Sequence, residues 1–119
     1  MKRIVAILLI AAAVFALTAC NANAVRGSVS SVTENGDAVL DIMPQKLTDK
    51  IAVGEMVVVT IGDFKEEMLF TDEQFDDDEK LQLFFDREEW CIRICSLDGD
   101  FCEMYGIDIG DRVRIEVIA

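Results

Sequence analysis

Cys91, Cys95 and Cys102 are the candidate nucleophiles of this sequence, in a chain that contains no histidine. Without imidazole, Ser-His-Asp and Cys-His catalysis, histidine general bases and histidine metal ligands are all excluded. Any chemistry would rest on thiols, carboxylates, lysine or tyrosine. The C-x3-C-x6-C spacing does not match a zinc-binding pattern. On a strand over 90–96, Cys91 and Cys95 share one face about 13 Å apart, too far to bridge. Either one reaches Cys102 if the segment after the strand folds back. Small, mostly buried thiols are the expected role.

Carboxylates form two further groups. Asp72, Glu73, Asp76, Asp77, Asp78 and Glu79 crowd one stretch. They could ligate calcium, but the spacing and central glycine of an EF-hand loop are missing, so a solvated loop is expected. Asp98 and Asp100 could also hold a cation. The plainer expectation is a turn at Asp98-Gly99, then Asp100 as the N-cap of a short helix with Glu103 as its capping partner. Trp90, Phe84 and Tyr105 are candidates for stacking on an aromatic ligand. Trp90 is expected in the core with Ile92 and Ile94. Phe84 is out of phase with Leu81, Leu83 and Phe85, which predicts an outward position and an oligomer contact. Arg93 is expected in a surface ion pair, contributing about 0–1 kcal/mol.

The elements that must position these residues are short. Strands are expected over 25–33, 38–42, 55–61, 64–70, 81–85, 90–96 and 112–117, from alternating or β-branched runs bounded by turn residues. Asn35-Gly36 marks a hairpin between the first two, because this pair supplies positive φ cheaply. Residues 44–50 read as a polar loop or one helical turn. Phe101, Cys102, Met104 and Tyr105 are spaced for one face of a short helix, closed by Gly106 in a left-handed conformation. Seven short strands and one short helix in about 100 residues imply an all-β fold, a small β-barrel or sandwich.

The fourth cysteine, Cys20, belongs to a different segment. Lys2 and Arg3 precede the uncharged apolar run 4–19, which ends in Leu17-Thr18-Ala19-Cys20. These 16 residues would make about 24 Å of helix, short of the ~30 Å hydrocarbon core. A basic n-region, an apolar h-region and a small-residue exit fit a signal peptide. The exit resembles the lipobox of bacterial lipoproteins. That resemblance implies lipidation of Cys20 through its sulfur, cleavage before it, export, and an outward-facing anchor on the bacterial cell membrane. The expected organisation is a signal peptide over 1–19, a lipidated cysteine and tether over 20–26, and one domain over 27–119. The mature part would carry nine Lys and Arg against 23 Asp and Glu, a net −14. Such a surface disfavours nucleic acid and anionic lipid headgroups, since both would repel it.

Two stretches carry a second resemblance. One is Asn35-Gly36-Asp37-Ala38-Val39-Leu40-Asp41-Ile42, followed by Val53-Gly54-Glu55 and a valine-rich strand. The other is Gly99-Asp100-Phe101-Cys102-Glu103-Met104-Tyr105-Gly106-Ile107-Asp108-Ile109-Gly110-Asp111. In order and spacing they resemble the C-terminal barrel domain of the SAM hydroxide adenosyltransferases, relatives of the fluorinases and chlorinases. Members cleave SAM to adenosine and methionine by attack of water or hydroxide. Their SAM lies between an N-terminal domain and the barrel, which contacts adenine from its opening hairpin and from the stretch before its closing helix. The resemblance therefore implies ligand contacts from Asn35, Asp37, Ser96, Asp98, Asp100 and Phe101. The sequence departs from the family at both places, where Phe-Gly-Asn reads Asn35-Gly36-Asp37 and Gly-Asn reads Gly99-Asp100. The domain that carries the family's catalytic aspartate has no counterpart here.

These readings lead to one expectation: a membrane-anchored lipoprotein with an adenosyltransferase-type barrel and no catalysis of its own, serving as a binding or interaction module. No cofactor or metal is expected, with SAM or adenosine as the ligand to test. Expected partners are the membrane through Cys20, and a second copy or a separate catalytic chain. The alternatives are one half of a two-chain SAM hydrolase, or a nucleoside- or SAM-binding protein.

Overall fold

The computed structural model describes residues 24–73 and 80–118. The leader, Cys20, the start of the tether and the acidic run over 74–79 lie outside the described residues. Seven strands form the frame: β1 (Val25–Val32), β2 (Ala38–Leu40), β3 (Met56–Ile61), β4 (Phe64–Thr71), β5 (Leu81–Asp86), β6 (Cys91–Ser96) and β7 (Arg112–Val117). Two five-residue helices complete it, α1 (Pro44–Thr48) and α2 (Phe101–Tyr105). The sheet closes on itself in the order β1-β2-β6-β5-β4-β3-β7, so the fold is an all-β barrel, as expected. Val25 and Arg26, counted with the tether, already belong to the barrel, where they pair with Ile115 and Arg114.

Alternation along each strand fills the interior. Val57, Val59, Ile61, Leu83, Ile92, Ile94 and Ile115 turn inward and are buried. Neighbouring strands run antiparallel except β4 and β5, which are parallel. Their overlap runs only from Leu69–Gln82 to Thr71–Phe84. β1 contains a bulge, since Val29 pairs with Leu40 and Ser31 with Val39. The extra residue, Ser30, turns its hydroxyl onto the Val39 carbonyl at 3.1 Å.

The segment read as a polar loop or one helical turn contains α1. Proline sits in the first turn of α1, where its fixed φ suits a helix start, and fully buried Leu47 holds the helix against the core. The 33–37 turn is one residue longer than a two-residue hairpin. The Gly36 N–H donates to the Thr33 carbonyl at 2.9 Å and the Thr33 N–H to the Asp37 carbonyl at 3.0 Å. Gly36 has φ +85, whereas Asn35 is not in the left-handed region. This is a three-residue loop with a glycine bulge.

Three expectations about side chains are corrected. Trp90 is not core: it precedes β6, sits at φ +54 and is 51% exposed. The turn takes it out of the strand alternation, so it packs edge-on against Phe85 at 5.2 Å from the outside. Phe84 is not exposed, at 7%. It faces Arg93 across the β5–β6 pair, and the guanidinium covers its ring at 5.2 Å. An oligomer contact through Phe84 loses its basis. Asp100 is not a side-chain cap either. It lies at φ 54, and no cap hydrogen bond comes from its carboxylate. The Gly36 carbonyl takes the Cys102 N–H at 2.9 Å, so the hairpin backbone satisfies the helix start.

Candidate functional site

The residues singled out by sequence come from two distant stretches, and the fold brings them together at one seam. The Asp100 N–H donates to the Asn35 carbonyl at 2.7 Å, and the Cys102 N–H to the Gly36 carbonyl. Contact is close enough that a Cβ on Gly36 would lie 2.4 Å from the Asp100 Cα. Within the seam the side chains divide. Asn35, Asp98 and Asp100 are exposed at its rim, whereas Asp37, Ser96 and Phe101 are buried. Phe101 is fully buried, edge-on to Phe64 at 5.3 Å and tilted against Tyr105 at 5.3 Å. Its ring is part of the core packing. Ser96 closes β6, with its carbonyl accepting the Gly99 N–H at 3.0 Å.

Asp37 belongs to a buried ion network that the sequence only half revealed. Arg93 Nη1 lies 3.2 Å from Asp37 Oδ2, and Arg93 Nη2 lies 2.9 Å from Asp86 Oδ2. Arg93 was expected in a surface pair, but both of its partners are buried. Asp86 is the residue the sequence reading missed. Its other oxygen, Oδ1, accepts the N–H groups of Glu88 and Glu89, each at 3.0 Å. The available signal was an aspartate at the end of an apolar strand just before a turn, where it bonds the backbone ahead of it. Asp37 Oδ1 is buried with no hydrogen-bond partner among the described residues.

The three thiols lie on or near this network and are all free. No bridge joins Cys102 to either neighbour. Cys95 and Cys102 are buried and Cys91 is half-buried. Burial first, and then the Asp37 carboxylate, push the Cys95 thiol up from 9.0 to about 12. The same two causes, in the same order, raise Cys102. Burial and then Asp86 raise Cys91. Thiolate is the reactive form, so this surrounding suppresses nucleophilic chemistry. Among the described residues no group of three or more cysteine or acidic side chains is placed to hold a metal ion.

The site's chemistry is thus one of neutralised charges and protonated thiols under a seam of backbone contacts. No protein-family model and no curated protein matches this chain in sequence. Among solved structures, the barrel is similar to an uncharacterized conserved protein from Thermotoga maritima, with a TM-score of 0.69 and 20% identity. The match covers 78% of this chain and 36% of that one, so this chain spans just over a third of the other protein's length. At that identity the likeness concerns the fold, a barrel that also occurs as part of a longer chain.

Proposed function

We propose that this chain is a bacterial lipoprotein, exported and anchored facing outward through Cys20, whose adenosyltransferase-type barrel is a non-catalytic binding or interaction module. One observation carries the second half of that reading. The charges and thiols of the seam are quenched: Arg93 pairs with one oxygen each of Asp37 and Asp86, and burial keeps the thiols protonated. The anchor rests on the Leu17-Thr18-Ala19-Cys20 motif. Cell fractionation of Cys20→Ser in the native host tests it. Wild-type protein should sediment with membranes, and the variant should appear in the soluble fraction. A variant that remains with the membranes refutes the anchor.

A second reading is favoured by the seam itself. The hairpin at 35–37 and the stretch at 96–101 are the two regions that would contact adenine, and they meet. Under this reading the rim residues Asn35, Asp98 and Asp100 take adenosine or SAM, alone or with a separate catalytic chain. Calorimetric titration of SAM and of adenosine discriminates. Binding near micromolar strength, about −8 kcal/mol, supports it. A flat titration with both, together with no SAM-hydrolysing partner on co-purification, removes it.

A further inference from the structure

The outer face along β1, β7 and β3 opposes the chain's acidic character. Arg26 lies directly opposite Arg114 across the β1–β7 pair, and Ser28 opposite Arg112. On the other side Arg114 faces Thr60 of β3, which in turn faces Lys65 of β4. Val25, Val113 and Ile115 take the inward positions, so these polar side chains share the outward face. Four of the nine Lys and Arg that follow the leader therefore stand on one patch.

Two like charges directly opposite on neighbouring strands are destabilising without a countercharge. The protein supplies little. Glu116 approaches Arg114 Nε at 2.9 Å, but that nitrogen is buried without a hydrogen-bond partner, because the approach is out of line. Arg26 and Arg112 have no ion-pair partner among the described residues. Asp41 stands at the edge of this face, where both its oxygens are taken up by the Ser28 N–H and hydroxyl, each at 2.7 Å, and it makes no ion pair with an arginine among the described residues. Thr60 Oγ1 is buried and also has no partner among the described residues. Arg26, Ser28, Thr60, Arg112 and Arg114 line one open cleft of about 710 Å³. That volume is within the range of small-molecule sites, about 300–1,000 Å³.

We infer that this cleft binds a phosphoryl-bearing anion, with Arg26, Arg112 and Arg114 supplying the charge and Thr60 a hydroxyl. Three guanidinium groups exceed what one carboxylate balances, and their planar donor forks suit phosphate oxygens. The phosphoryl group comes either from a soluble compound or from a phospholipid headgroup. The inference rests on the barrel alone, so its failure would leave the anchor and the adenine reading untouched.

The test uses the full chain in uncharged detergent, titrated with inorganic pyrophosphate in a calorimeter. Saturable one-to-one binding is expected. Replacing both Arg26→Ala and Arg112→Ala should weaken it at least about tenfold. Lys50→Ala with Lys80→Ala makes the same charge change away from the cleft and should alter binding less than about twofold. Thr60→Val removes only the hydroxyl and should weaken binding several-fold. Absence of saturable binding overturns the proposal, as does equal weakening by the lysine pair. Competition by short-chain phosphatidylglycerol assigns the headgroup as the source, and its failure to compete assigns a soluble ligand.

Discussion

Arg93 holds two carboxylates from different strands, and its removal would leave both in the protein interior. With Asp37 and Asp86 buried and Arg93 itself largely covered, breaking this network belongs to the costly class of charge deletions. Arg93→Leu should destabilise the barrel by about 3–5 kcal/mol. For a domain of this size that lowers the melting temperature by at least about 12 °C, readable by circular dichroism. A loss under about 1 kcal/mol would place the network with surface pairs. The thiols make a separate prediction at high pH. Cys95 keeps its proton up to about 12 in the folded barrel, against 9.0 when unfolded. Its contribution is complete below about pH 9 and is lost as pH climbs toward 12, because the unfolded chain releases the proton first. Urea melts at pH 8 and pH 10 should show stability falling for wild type, and falling less for Cys95→Ala. Equal slopes would show that Cys95 does not contribute.

At the scale of elements, the β1–β2 hairpin meets α2 backbone against backbone. Gly36 combines a left-handed backbone with a contact that a Cβ would violate, whereas Gly62 has a left-handed φ of +57 and open space around it. Gly62→Ala should therefore cost only the conformational strain, about 1 kcal/mol. Gly36→Ala must also displace the Asp100 backbone, and should cost at least about 2 kcal/mol more. Denaturant midpoints of the two variants measure the difference, and equal midpoints would contradict the close approach. Residues 101–105 and Gly106 were legible as a helix and its left-handed C-cap because both follow from local spacing. The N-terminal cap was not, because its acceptor is the carbonyl of Gly36, far away in sequence. Local rules gave Asp100 the role that a distant backbone group performs.

Across the whole molecule, Phe64 and Phe101 join the β3–β4 hairpin to α2 in the core. Phe101→Ala should cost about 3–5 kcal/mol and loosen α2. Amide hydrogen exchange at 102–107 should then rise before the rest of the barrel opens. Unchanged protection there would mean that α2 is held by the hairpin backbone alone. Seven strands, their approximate limits and an all-β fold were determined by the sequence itself, because alternation and turn chemistry act over a few residues, whereas these signals left barrel or sandwich open. The same local signals made Asn35-Gly36 a turn and buried the cysteines. Only the tertiary structure decided which strands are neighbours, that β4 and β5 run parallel, and that Arg93 reaches Asp37 and Asp86. It alone placed Arg26 opposite Arg114 and turned Trp90 out of the core. Closing a barrel fixes the partners on both sides of every strand at once, and no stretch of sequence carries that information by itself.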